Sequence, residues 1–237
     1  MEEVLENIKS LLKKVESGFN SLVDKINGIL GHVPWGLGWL ADKFKRLWDK
    51  AVDKMEDFWD TIKPIIELPG VPWTINSKKD SWVEVGSKSS GETITATEGQ
   101  LQTDDADKWS GKSKDAYVKG LGDQKAAIKG IKSTFVDKIV PALDAVSSAI
   151  YLFWVSIVAA IGILIVAIAA ATGEAVSIFG LPALPPTVWG GIAACLAAVG
   201  IGTTNLRNVC STQATVFSTL MSESTDYGPD NWPKCAI

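Results

Sequence analysis

The sequence predicts an all-α fold, an elongated helical bundle, and three observations predict it. A seam of apolar residues advances by alternating steps of three and four from Leu5 to Ile29. A second helical period fills residues 37–63. The long stretch Ala145–Leu206 holds one charged residue, Glu174, and is broken once by glycine and proline.

The first element is carried by Leu5, Ile8, Leu12, Val15, Phe19, Leu22, Ile26 and Ile29, with Glu, Lys, Ser and Asn at most other positions. That heptad pattern calls for an amphipathic helix packed on other helices. Gly28 and Gly31 end it, with Pro34 just beyond. A surface helix on a membrane is the competing reading; the mixture of Lys with Glu favours the bundle.

The second element lines one face with Leu40, Phe44, Leu47, Ala51, Met55, Phe58 and Ile62, widened by Trp48, Val52 and Trp59. So broad an apolar face needs a partner in a globular bundle. The short link between the two makes residues 1–68 an antiparallel hairpin. Pro64, Pro69, Gly70 and Pro72 are expected to end it and to mark a domain boundary.

From Trp73 to Lys108 the chain turns polar, and its period does not decide between exposed strand (ETITAT), linker (SKSSG) and polar helix. Asp107 can then cap, Trp109 and Gly111 form a turn, and a helix begins near Ser113. Its face runs Tyr117, Leu121, Gln124, Ile128, Ile131, Phe135, Ile139 and Leu143. Pro141 is expected to kink it. With no loop signal before the apolar arm, the helix continues to about Ala171, on the order of 90 Å at about 1.5 Å per residue.

Ala145–Gly173 and Ala175–Leu206 are each uncharged, and each exceeds the roughly 20 apolar residues that cross a bilayer core about 30 Å thick. Between them GEAVSIFGLPALPPT, with Pro182, Pro185 and Pro186, cannot continue a helix. The region 145–206 is therefore an apolar helical hairpin. Trp154, Ile157, Ile161, Leu164 and Ile168 on one arm, and Trp189, Ile192, Leu196 and Val199 on the other, recur at helical spacing. They are the candidates for membrane insertion. A buried core wrapped by the N-terminal helices is the alternative, and a soluble form that later inserts reconciles the two. Residues 207–237 read as a helix returning along the first arm, then a tail with Gly228, Pro229 and Pro233.

Composition narrows the function. A formal net charge of −4 argues against nucleic acid as a partner. The single histidine, His32, lies in a turn, and the three cysteines have no metal spacing, so no metal site or cofactor is expected. Cys195 falls inside an apolar arm. Cys210 and Cys235 lie on the polar side and pair if the protein works in an oxidising compartment; two free thiols is the alternative. No phosphate-binding glycine loop, zinc-protease motif or nucleophile elbow is present, so no enzyme is expected. The acidic N-terminus, without an apolar core, is not a cleavable signal peptide.

Trp109-Ser110-Gly111, followed by Ser113, Ala116 and Tyr117, resembles the W-x-G turn of the small helical-hairpin proteins exported by type VII secretion systems. The resemblance covers roughly residues 71–150. It implies that 71–106 is the first helix of a hairpin whose turn is Trp109–Gly111, with Ala116 and Tyr117 early in the second helix, giving a module 71–144. It also implies export, and packing with a second copy or a cognate helical partner. The family's export tag, a tyrosine with an acid four residues on, is missing: Tyr227 is followed four residues later by Asn231. The apolar hairpin is foreign to that family and instead resembles helical pore-forming toxins. Trp109 is expected to lie buried at the corner, and Gly111 to need the conformational freedom of glycine.

These readings converge on an exported, membrane-active protein, secreted or membrane-associated, whose hairpin forms a pore or translocation module. A membrane-anchored structural or chaperone-like partner without pore activity is the alternative.

Overall fold

The computed structural model describes residues 2–33, 36–67, 72–90, 109–175 and 180–223, with the side chains of Glu2 and of 121–125 also outside the description. The fold is an all-α helical bundle, without a strand among the described residues. Helix α1 spans Glu2–Leu30, α2 Gly38–Glu67, α3 Pro72–Ser90, α4 Lys112–Ile131, α5 Asp137–Glu174 and α6 Leu184–Glu223. A π-helical turn at Lys132–Val136 joins α4 to α5, and a 3-10 turn at Leu181–Ala183 leads into α6.

One proline behaves differently from the expectation drawn from sequence. Helix α2 does not stop at Pro64 but runs through it to Glu67. A proline removes only one ladder hydrogen bond, and near a helix end few bonds remain to be lost. Pro141 sits inside α5, which continues through it. The departure from the α ladder lies upstream, at the π turn, where the Asp137 N–H donates to the Lys132 carbonyl. ETITAT, at 92–97, lies outside the described residues, but α3 makes 72–90 helical, as the W-x-G resemblance implies for that part.

The chain forms two compact units, one of residues 1–70 with 150–206, the other of 71–149 with 207–237. In the first, the two hairpins pack as four helices. Phe19 of α1 stacks on Trp48 of α2 with centroids 5.7 Å apart, and Phe44 stacks on Trp48 at 5.9 Å. Helix α1 also lies along α5: a Cβ on Gly18 would stand 3.2 Å from Ile168 Cγ2, and Lys25 Nζ donates to the Thr172 carbonyl at 3.5 Å. Helices α5 and α6 approach most closely at glycine. A Cβ at Gly191 would overlap the Ala167 methyl, and one at Gly202 would come within 2.6 Å of Ser156 Oγ. The order around the bundle is α1, α2, α6, α5. The expected seam is its core: Ile8, Val15, Leu22 and Ile26 from α1, and Phe44, Phe58 and Ile62 from α2, are buried. Each such side chain contributes about 1.5–3 kcal/mol of burial.

In the second unit α3 runs antiparallel to the stretch that joins α4 to α5. A Cβ at Gly86 would meet Val136 Cγ1 at 2.8 Å. Lys79 Nζ pairs with Asp144 Oδ1 at 2.7 Å, and Ser147 Oγ donates to the Pro72 carbonyl at 3.3 Å. The midpoints of these pairs along the sequence, (86+136)/2, (79+144)/2 and (72+147)/2, are 111, 111.5 and 109.5. All fall at the Trp109–Gly111 turn, the register of a helical hairpin folded about that point.

The apolar hairpin as candidate functional site

Alanine is the commonest residue of the arms and favours helix, and the helices run on until the tip supplies proline. At that tip Pro182 sits in the 3-10 turn. Glu174, the single charge of the hairpin, accepts from Thr187 Oγ1 at 3.1 and 3.3 Å through its two carboxylate oxygens. A hydroxyl from the facing arm thus holds the carboxylate beside the turn. Leu181 and Leu184 are fully buried and anchor the tip. Next to them a small apolar slot of about 230 Å³ is lined by Leu47, Lys50, Pro185, Pro186 and Trp189.

The structure places the candidate insertion residues mainly on the inward face. Trp154, Ile157, Ile161, Leu164, Ile168, Ile192 and Val199 are all buried. Leu196 is half-buried and lines, with Val199, a cleft of about 790 Å³ against Asp57, Asp60 and Thr61 of α2. Trp189 alone among them is exposed, at 49%. The Trp154 indole N–H is buried and has no acceptor among the described residues, an omission that costs about 1–3 kcal/mol.

The outward face is the part that periodicity could not single out. It carries Leu152, Val155, Ile163 and Val166 on α5 and Trp189 and Ile201 on α6, all exposed. Among the described residues, every exposed position from Leu152 to Gly173 and from Pro182 to Ile201 is apolar. A uniformly apolar arm has no period to read. The spacing of the small residues was the usable signal: Gly191, Cys195 and Gly202 lie on the buried side, where close approach selects them.

The W-x-G residues divide. Gly111 has φ +95°, a backbone conformation that strains any residue with a Cβ. Trp109 is not buried between helices as expected. It is 40% exposed, because its ring lies on Tyr117 of the helix that follows, centroids 5.2 Å apart. Tyr117 is half-buried and Ala116 exposed. In the same unit, the hydrogen bond from Lys79 to Asp144, opposed by some desolvation, raises the Lys79 pKa above its ordinary value.

Cys195 is buried in the hairpin and Cys210 exposed on α6. Cys235 lies outside the described residues, so the proposed bridge does too. Both arms are long and apolar enough to cross a membrane: within the helical stretches Ala126–Glu174 and Leu181–Ser222, 18-residue windows reach mean hydropathy 2.8 and 1.6. Comparison with protein-family models, with curated proteins and with solved structures finds no match to this chain.

Proposed function

We propose that this is an exported membrane-active protein that stores an apolar hairpin beneath an amphipathic clasp and delivers it to a bilayer. The observation that carries the reading is the asymmetry of the α5–α6 hairpin. Its inner face is buried in a bundle with α1 and α2, while its outer face is apolar and uncovered. The charged outer sides of α1 and α2 cannot enter hydrocarbon, so insertion requires the hairpin to part from them. Helices α1 and α2 then act as the clasp, and the inward residues from Trp154 to Ile168 and from Ile192 to Val199 become available to lipid or to a second copy. The type VII part of the reading rests on Trp109-Ser110-Gly111 and is supported by the register of α3 on α5 about that turn.

Dye release from vesicles tests the proposal, with a clasp that can be locked. Gly18→Cys with Ile168→Cys, in a chain whose native cysteines are replaced, places two thiols where the helices touch. Wild type should release dye, the oxidised double variant should not, and reduction should restore release. Membrane binding without release by the reduced protein would favour the anchored structural partner. Release by the locked form would refute the clasp.

A further inference from the structure

We propose that the outward face of the α5–α6 hairpin is the lipid-facing surface of the membrane form, and that its aromatic residues mark the two borders of the span. The inference rests on the proposed insertion and says which side of the hairpin meets acyl chains. Of the residues chosen from spacing, Trp189 alone lies on this outer face; the others face the clasp or are half-buried.

Three observations carry it. The first is chemistry: between its ends the face bears only aliphatic side chains, alanine and glycine. A protein partner ordinarily makes about one hydrogen bond per 100–200 Å² of interface, and between Tyr151 and Trp189 this face offers, among the described residues, no exposed side chain to make one. Hydrocarbon asks for none.

The second is the position of the amphipathic rings. Tyr151, 53% exposed, opens the face on α5, and Trp189, 49% exposed, opens it on α6. Tyr and Trp collect at the two interfaces of a membrane because one part of the ring is apolar and the other polar. Their separation follows from the register of the arms. Ala167 lies against Gly191 and Ser156 against Gly202, which sets Trp189 beside Ala169. From Tyr151 to Ala169 an α-helix rises about 27 Å at about 1.5 Å per residue. A bilayer core is about 30 Å thick.

The third is where polarity resumes. Beyond Trp189, towards the tip, come Thr187 and the carboxylate it holds, Glu174. At the other end of the α6 arm Thr203, Thr204 and Asn205 are exposed. On the same register Thr203 stands beside Val155, so the apolar zone closes near Trp189 on the tip side and about one helical turn short of Tyr151 at the other end. The α5–α6 contact at Gly191 and Gly202 is independent of the clasp, so the pair can enter as a unit with this face outward.

Depth measurement tests the assignment. Single cysteines at Tyr151, Ala159, Trp189 and Ala197, again with the native cysteines replaced, carry an environment-sensitive fluorophore. Each full-length variant is added to phosphatidylcholine–phosphatidylglycerol vesicles holding quenchers at known depths, and dye release is followed in the same samples. The proposal expects probes at Ala159 and Ala197 to be deepest. Those at Tyr151 and Trp189 should be shallow and reached by an aqueous reductant from opposite sides of the bilayer. Uniformly shallow probes would mean a hairpin lying flat, and would overturn the spanning assignment. Dye release with all probes unquenched would overturn the lipid-facing assignment and leave the insertion reading standing. Energy transfer between copies through Ala159, without quenching, would give the face to a second copy and overturn it as well. Absence of both binding and release would remove the insertion reading itself.

Discussion

The two hairpins of the first unit are built alike and finished differently. Both are antiparallel pairs of long helices, and both bury one stripe in the same bundle: Ile8, Val15, Leu22 and Phe58 on one side, Ile157, Ile161, Leu164 and Ile192 on the other. Outside, α1 and α2 present Lys13, Lys14, Glu16, Lys45 and Asp49, whereas α5 and α6 present Leu152, Val166 and Ile201. Burial alone does not distinguish a clasp from a membrane-active hairpin. The uncovered face does, since there the chain has no folding reason to be apolar.

The strongest way to break that comparison is to put the same charge on both faces of one arm. Ile161 is fully buried and Ile163 is 46% exposed. Ile161→Lys should destabilise the fold by more than about 4 kcal/mol, as a buried unpaired charge does. Ile163→Lys should stay within about 0.5 kcal/mol of wild type, yet abolish dye release, because a lysine near the bilayer centre costs about 2.5–3.5 kcal/mol. Chemical denaturation beside a release assay measures both. If Ile163→Lys released dye like wild type, the outer face would have no part in the activity.

Neighbouring glycines sharpen the comparison at a smaller scale. Gly191→Ala forces a methyl into Ala167, whereas a Cβ on Gly190 would meet nothing within 4 Å. The first change should cost about 1–3 kcal/mol by overpacking. The second should stabilise by up to about 1 kcal/mol through helix propensity alone. Thermal melts of the two variants should therefore move in opposite directions, and a shift of the same sign would remove the helix contact as the reason for Gly191.

The smallest expected effect belongs to the surface of the second unit. The hydrogen bond and charge of Lys88 hold the Glu84 carboxyl below its ordinary value of 4.5. A depressed carboxylate contributes stability above its unfolded pKa and loses it as pH falls through the folded value. Lys79 is shifted the opposite way, so its contribution is present below the ordinary lysine value of 10.5 and is lost only as pH rises beyond it. Glu84 is exposed, Lys79 is half-buried beside the exposed Asp144, and both shifts lie outside the range from neutral pH to about pH 9, so neither pair should move the melting temperature measurably there. A clear slope there would require another titrating group.

Much of this arrangement was legible before the structure. The α1 seam and the α2 face follow from strict period, and both carry the residues that are buried. Gly111 was legible because its turn needs positive φ. The faces of the arms were not, because Trp154 and Val155 are equally apolar in sequence and only their neighbours separate them. Trp109 misled for a related reason: a large ring at a corner suggests burial between helices, but it can rest on Tyr117 of the next helix instead. The passage through Pro64 depends on where the remaining ladder and the packing lie, which local propensity does not contain.

The carboxylate held by Thr187 also makes the hairpin, in the proposed mode of action, a voltage-sensitive object. Glu174 is the only formal charge between Asp144 and Arg207, so carrying the tip across a bilayer moves one negative elementary charge. That displacement is worth about 2.3 kcal/mol per 100 mV, or roughly fifty-fold in the inserted fraction. Entry from outside a cell with a negative interior works against the field, and entry from within works with it. A potassium diffusion potential imposed on vesicles in either direction reads the difference, and Glu174→Gln should erase it.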